Sequence, residues 1–111
     1  MATVANIFID QGSDYSNIVT VTASNGQPLN LTGFTVASQM RKSFSSSTAY
    51  GFNASILNAS LGRVRLQLSA EQSEAIPPGR YLYDVEVTSS NGAKSRVVEG
   101  IATVTPQITK V

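Results

Sequence analysis

Apolar and polar residues alternate along much of this chain, and the alternation predicts strands. The clearest stretch is Arg63–Leu68 (RVRLQL), where Val64, Leu66 and Leu68 share one face and Arg63, Arg65 and Gln67 the other. Such a strand belongs to a half-buried antiparallel sheet, because parallel strands covered on both faces read as unbroken apolar runs. Arg80–Thr88 (RYLYDVEVT) repeats the pattern, with Tyr81, Tyr83, Val85 and Val87 on one face and Asp84 and Glu86 opposite. Further strands are predicted at Val4–Ile9, Tyr15–Thr22, Phe34–Arg41, Ala49–Ile56 and Ser95–Thr105, with Val36, Ser38 and Met40 facing one way in the third of these.

The segments between them carry turn chemistry. Asp10-Gln11-Gly12-Ser13, Ser24-Asn25-Gly26-Gln27-Pro28 and Asn58–Gly62 stop the strands they follow. Asn91-Gly92 predicts a type I′ hairpin, since both residues tolerate the positive φ that turn requires. Lys42–Thr48 (KSFSSST) reads as a flexible hairpin tip. Ser69–Ile76 is the helical candidate, with Ser69 as cap and Gln72 three residues on, and Pro77-Pro78-Gly79 ends it as a short connector. Gly100 is the place for a bulge or bend in the last strand.

About seven strands with turns between them and no sustained helix predict one all-β domain over residues 1–111. The expected architecture is a single antiparallel β-sandwich of immunoglobulin-like type with one short connector helix; a small closed barrel is the alternative. The expected core is Ile18 or Val19 with Val36, Met40, Val64, Leu66, Leu68, Tyr81, Tyr83, Val85 and Val87. Tyr81 stands just after the connector, where immunoglobulin-like domains place a corner tyrosine.

Composition then narrows the chemistry. The 111 residues include no cysteine and no histidine, which removes thiol nucleophiles, disulfides, Cys/His zinc sites and imidazole bases. Eight basic and seven acidic residues leave a net charge of +1, so no positive field for a nucleic-acid backbone arises. No stretch approaches the length of a membrane span. Met1–Ile9 lacks the basic start of a secretory signal, so the chain is expected to stay in a cytoplasm or leave it within an assembly. The sequons at Asn30, Asn53 and Asn58 are then chance matches in a Ser/Thr-rich chain.

The acids Asp10, Asp14, Glu71, Glu74, Asp84, Glu86 and Glu99 come without a base, nucleophile or metal partner, and scaffold roles are expected for them. Glu99 is placed to form a surface ion pair with Arg80 or Arg96, near Asp84. The Asp10–Asp14 loop lacks the acid spacing of a calcium loop. Arg63, Arg65 and Arg80 read as outward strand residues, and no tryptophan is present to stack on a sugar. No catalytic, cofactor or metal site is predicted.

One resemblance spans nearly the whole chain. The run Ile9-Asp10-Gln11-Gly12-Ser13-Asp14-Tyr15, then Asn25-Gly26-Gln27-Pro28-Leu29-Asn30-Leu31-Thr32-Gly33-Phe34, is followed by Arg80–Val87 and by Val98–Pro106. This order resembles small tailed-phage virion proteins, including the amino-terminal β-sandwich of upper baseplate proteins and short virion proteins of marine and cyanobacterial T4-like phages. The resemblance implies that Gly12 and Gly33 make tight turns and that Leu29 and Leu31 plug one end of the sandwich. It further implies a non-catalytic docking or decoration subunit of tail, baseplate or capsid, assembled in the host cytoplasm. Its partners would be other virion proteins and copies of itself in a symmetric assembly, with neither nucleic acid nor membrane. A carbohydrate- or host-surface-binding module is the alternative, and a small enzyme acting through Asp84, Glu86 and Glu99 a third reading.

Overall fold

The structure, a computed structural model, describes residues 3–23 and 25–109. Met1, Ala2, Ser24 of the second turn cluster, Lys110 and Val111 lie outside the described residues. The strands are β1 (Thr3–Val4), β2 (Ile7–Asp10), β3 (Tyr15–Thr20), β4 (Thr35–Arg41), β5 (Tyr50–Gly51), β6 (Asn53–Asn58), β7 (Arg63–Leu68), β8 (Gly79–Thr88) and β9 (Lys94–Thr105). Between β7 and β8 stands the helix α1 (Ala70–Glu74), and between β6 and β7 a single 3₁₀ turn over Ala59–Leu61.

Two sheets form the sandwich. The large one runs β1-β9-β8-β4-β5, with β2 also on β9, and the small one runs β3-β7-β6. Antiparallel pairing prevails, as the alternation requires, and the arrangement is immunoglobulin-like. The amino-terminal strand is the exception: β1 and β2 both pair parallel with β9. Its apolar run Ile7-Phe8-Ile9 buries Ile7 and Ile9 and leaves Phe8 outside.

The expected core is present, with Val19 rather than Ile18 inside, and Val36 packs against it partly buried. Ile9, Val21, Leu31, Ile76, Val98, Ala102 and Val104 join it. Leu31 is fully buried in the core, and Leu29 packs against that core partly buried. Tyr15, Phe52 and Tyr83 form an aromatic cluster in the core, tilted in the first contact and edge-to-face in the second, with ring centres 6.1 and 6.2 Å apart. Burial pushes the Tyr83 phenol up to about 12 and raises Tyr15 and Tyr81 as well.

Three local readings change. Ala49–Ile56 is two strands in different sheets: β5 pairs with β4, the chain crosses at Phe52, and β6 pairs with β7. Anchoring the buried Phe52 ring between the layers drives that crossing, and its amide donates to the Ser38 carbonyl at 2.9 Å. The β8–β9 loop is not type I′, since Asn91 keeps a negative φ and only Gly92, at φ 91°, is positive. Ser89 and Ala93 close a three-residue loop instead. The Ser-rich segment is the tip of the β4–β5 hairpin, where Arg41 Nη1 donates to the Ser46 carbonyl at 2.7 Å. Finally, the bulge in β9 lies at Val97, where Val85 pairs with Val98 and Glu86 with Arg96. Gly100 serves a different purpose: a Cβ there would collide with the Ala5 carbonyl.

The connector behaves as its residues dictate. Ser69 accepts from Gln72 N and the Gln72 side chain accepts from Ser69 N, a complete capping box. After Pro77 and Pro78, the Tyr81 hydroxyl donates to the Pro77 carbonyl at 2.5 Å, the expected corner tyrosine.

Candidate functional site

The outer face of the large sheet holds the most developed surface feature. Outward positions of β4, β8 and β9 align in register, so that Gln39, Asp84 and Glu99 form one row and Ala37, Glu86 and Arg96 the next. Two carboxylates directly opposite each other, Asp84 and Glu99, repel unless a cation lies between them. Arg96 fills that place. Its Nε donates to Asp84 Oδ2 at 3.0 Å, and Nη1 stands 3.9 Å from Glu99 Oε2.

The β9 bulge makes this arrangement possible. Residues 96 and 99 would point to opposite faces of a regular strand; skipping Val97 in the register brings both outward. The sequence suggested the Arg96 pairing but not the device that permits it.

These side chains line a shallow trough of about 710 Å³, whose wall includes Val4, Phe44, Leu82 and Ile101. Val4 is 70% exposed, Phe44 83% and Ile101 38%, while Phe8 extends the same face at 70%. Sequence reasoning treated this face as solvated and missed its apolar half. The signal was available in Ile7-Phe8-Ile9, since a strand with three apolar residues in a row must present one of them on the opposite face.

The other candidates are dispersed. Asp10 Oδ1 accepts from the Thr105 hydroxyl at 2.8 Å, and Asp14 Oδ1 accepts from Ala70 N at 2.7 Å, capping α1. The two acids of that loop thus serve different elements. Gln11 donates to the Ile76 carbonyl at 3.1 Å and accepts from Gln107 N at 3.0 Å, tying the loop to the connector and the end of β9. Glu71 lies in the first turn of α1 and Glu74 ends it. Arg80 is exposed on β8, and Arg63 and Arg65 face outward from β7 on the opposite side of the sandwich. Among the described residues no three His, Cys, Asp or Glu side chains gather as a metal would need, and no helix is long and apolar enough to cross a membrane.

No family model and no curated protein matches the chain. Among solved structures, the chain is similar to a Listeria monocytogenes internalin-like protein at 15% identity and TM-score 0.50, over 94% of this chain and 28% of that one. A structure of VGSC beta subunits, studied for multimeric cell-adhesive interactions, aligns at 12% identity and TM-score 0.42 over 92% of each chain. A family 123 glycoside hydrolase from Clostridium perfringens aligns at 12% identity and TM-score 0.43, over 96% of this chain and 23% of the enzyme. The Listeria likeness concerns the sandwich fold alone, and this chain spans about a quarter of that protein.

Proposed function

We propose that the protein is a non-catalytic docking or decoration subunit of a tailed-phage particle, seated through the outer face of its large sheet. The observation that carries a docking role is the exposure of Val4, Phe8, Phe44 and Ile101 around the ion-paired centre of one face. Apolar anchors with a charged, partly exposed neighbour set are the composition of a protein contact surface. The phage assignment rests on the sequence run alone. In support, Gly12 and Gly33 adopt the positive φ that suits tight turns, and Leu31 is fully buried. Many weak contacts repeated around a symmetric particle would then sum to firm attachment.

Mass spectrometry of purified particles tests the proposal. The protein is expected in them, and a folded Phe8→Ser, Phe44→Ser double variant is expected to be lost from them. Absence of the native protein from particles removes the phage assignment, and retention of the folded variant removes the docking face.

A second reading is carbohydrate binding. Phe44 stands over a trough that also holds Asp84, Arg96 and Glu99, an aromatic beside hydrogen-bonding groups. A glycan-array hit abolished by Phe44→Ala would favour it over docking.

A further inference from the structure

The free edges of the two sheets differ in how they are protected. Along one side of the large sheet the outer strand is broken at Ala5–Asn6, where the Asn6 side chain, not its backbone, accepts from Ile101 N at 3.0 Å. Its continuation β2 has four residues and ends on Asp10. At the other side, β5 has only two residues. In the small sheet β6 loses register between Ile56 and Asn58 before the 3₁₀ turn. Short strands, breaks, bulges and charges are the devices that keep edges from pairing with other chains.

Strand β3 has none of them. Its six residues (YSNIVT) pair without interruption against β7 on one side, and among the described residues no strand pairs with its other side. It carries no proline, glycine or charged residue, and Ile18 stands 48% exposed at its centre. Unlike an apolar face, such an edge specifies its occupant, because only another extended strand can meet its row of backbone donors and acceptors.

We propose that this occupant is β3 of a second copy, paired antiparallel about a two-fold axis. The strand is complementary to itself in that arrangement. With Ile18 opposite Ile18, Ser16 meets Thr20 on the outer face and Asn17 meets Val19 on the inner one. Every paired residue then lies on the same face as its partner, as the two-residue period demands. The outer face gains an apolar pair flanked by two hydroxyl pairs, both favoured across strands. Arg65, the β7 neighbour of Ile18, is the nearest cation to the axis. Its two copies would be three strand spacings apart, about 14 Å, beyond the ~8 Å screening length of physiological salt.

The product is a continuous six-stranded sheet made from two small sheets. Both large-sheet faces remain free, so the pairing stands independently of what they dock to. It would present two docking faces per unit and thereby raise avidity.

Analytical ultracentrifugation of the full chain tests this. The native protein is expected to reach twice the chain mass below about 0.5 mM, and Ile18→Lys to sediment as monomer with an unchanged circular-dichroism spectrum. Phe8→Ser, on the large sheet, is expected to leave the dimer intact. Amide exchange needs no variant: protection across Tyr15–Thr20 is expected to rise with protein concentration. A native monomer throughout that range overturns the proposal, leaving the edge for a strand of another protein. A dimer that Phe8→Ser dissolves, or whose β3 exchange ignores concentration, overturns it equally. None of these results depends on whether the protein is found in particles.

Discussion

The Tyr83 hydroxyl donates to the carbonyl of Ala5, joining the middle of β8 to the break in the amino-terminal strand. The two residues are distant in sequence, and β9 lies between their strands. Tyr83 is buried to 4% exposure, so its hydroxyl has this carbonyl as the partner that repays its burial. Removing the oxygen alone isolates that bond. Tyr83→Phe keeps the ring edge-to-face with Phe52 and should cost about 1–3 kcal/mol, the range for stranding a partly buried acceptor. Urea unfolding measures the cost, and amide exchange at Ile7–Asp10 should quicken as the strand loses its anchor. A loss below about 0.5 kcal/mol would show that water replaces the hydroxyl.

Alkaline pH should weaken the fold through the same residue. Burial, with a smaller contribution from Tyr15, holds the folded Tyr83 phenol at about 12, against an ordinary 10.0 when the chain is unfolded. Between those values the unfolded chain releases a proton that the folded one retains, so stability is full below pH 10 and falls as pH rises toward 12. The shift corresponds to a loss on the order of 3 kcal/mol once pH passes 12. Tyr15 and Tyr81, also raised by burial, act in the same direction. Melting temperatures between pH 8 and 11, compared with Tyr83→Phe, separate the contributions: the variant should lose stability less steeply. Equal slopes would refute the assignment to Tyr83.

Two glycines outside the positive-φ region make opposite predictions for one chemical change. At Gly100 an added methyl meets the Ala5 backbone, which cannot rotate away; at Gly51, in β5, it meets nothing within 4 Å. Gly100→Ala should therefore destabilise by about 1–3 kcal/mol, as overpacking does. Gly51→Ala should be neutral or stabilise by up to about 1 kcal/mol by restricting the unfolded chain. Denaturant midpoints for the pair decide it, and similar effects at both sites would mean that β1 and β2 do not lie where the Ala5 contact puts them.

What could be read from the residues was what depends on near neighbours in sequence. Arg63–Leu68 and Arg80–Thr88 show their faces by alternation, Ser69 and Gln72 announce a cap, and Tyr81 announces its corner because the acceptor lies four residues back. What could not be read depends on partners far along the chain. Nothing near Phe52 says that β5 and β6 belong to different layers, since an extended segment looks the same in either sheet. The parallel pairing of β1 and β2 requires knowing that β9 offers an open side. The face bearing Asp84, Arg96 and Glu99 was half legible. Its charges followed from alternation along β8, but the Val97 bulge that gathers them is a property of two strands paired, not of either alone.

That gathering sets the last expectation. Arg96 and Asp84 have side chains 49% and 33% exposed, so water screens their attraction and the bond contributes only about 0–1 kcal/mol. Arg96→Gln should accordingly cost less than about 1 kcal/mol at physiological salt. Its salt dependence carries more information than its size. Without the guanidinium, Asp84 and Glu99 face each other across β8 and β9 as like charges, and their repulsion weakens as salt is added. The native ion pair weakens with salt too, so the gap between variant and native protein should narrow from both sides. Urea midpoints for the two proteins at about 0.01 and 1 M salt, where the screening length falls from ~30 to ~3 Å, give the comparison. A gap that stays constant would mean that Arg96 does not hold the two carboxylates together.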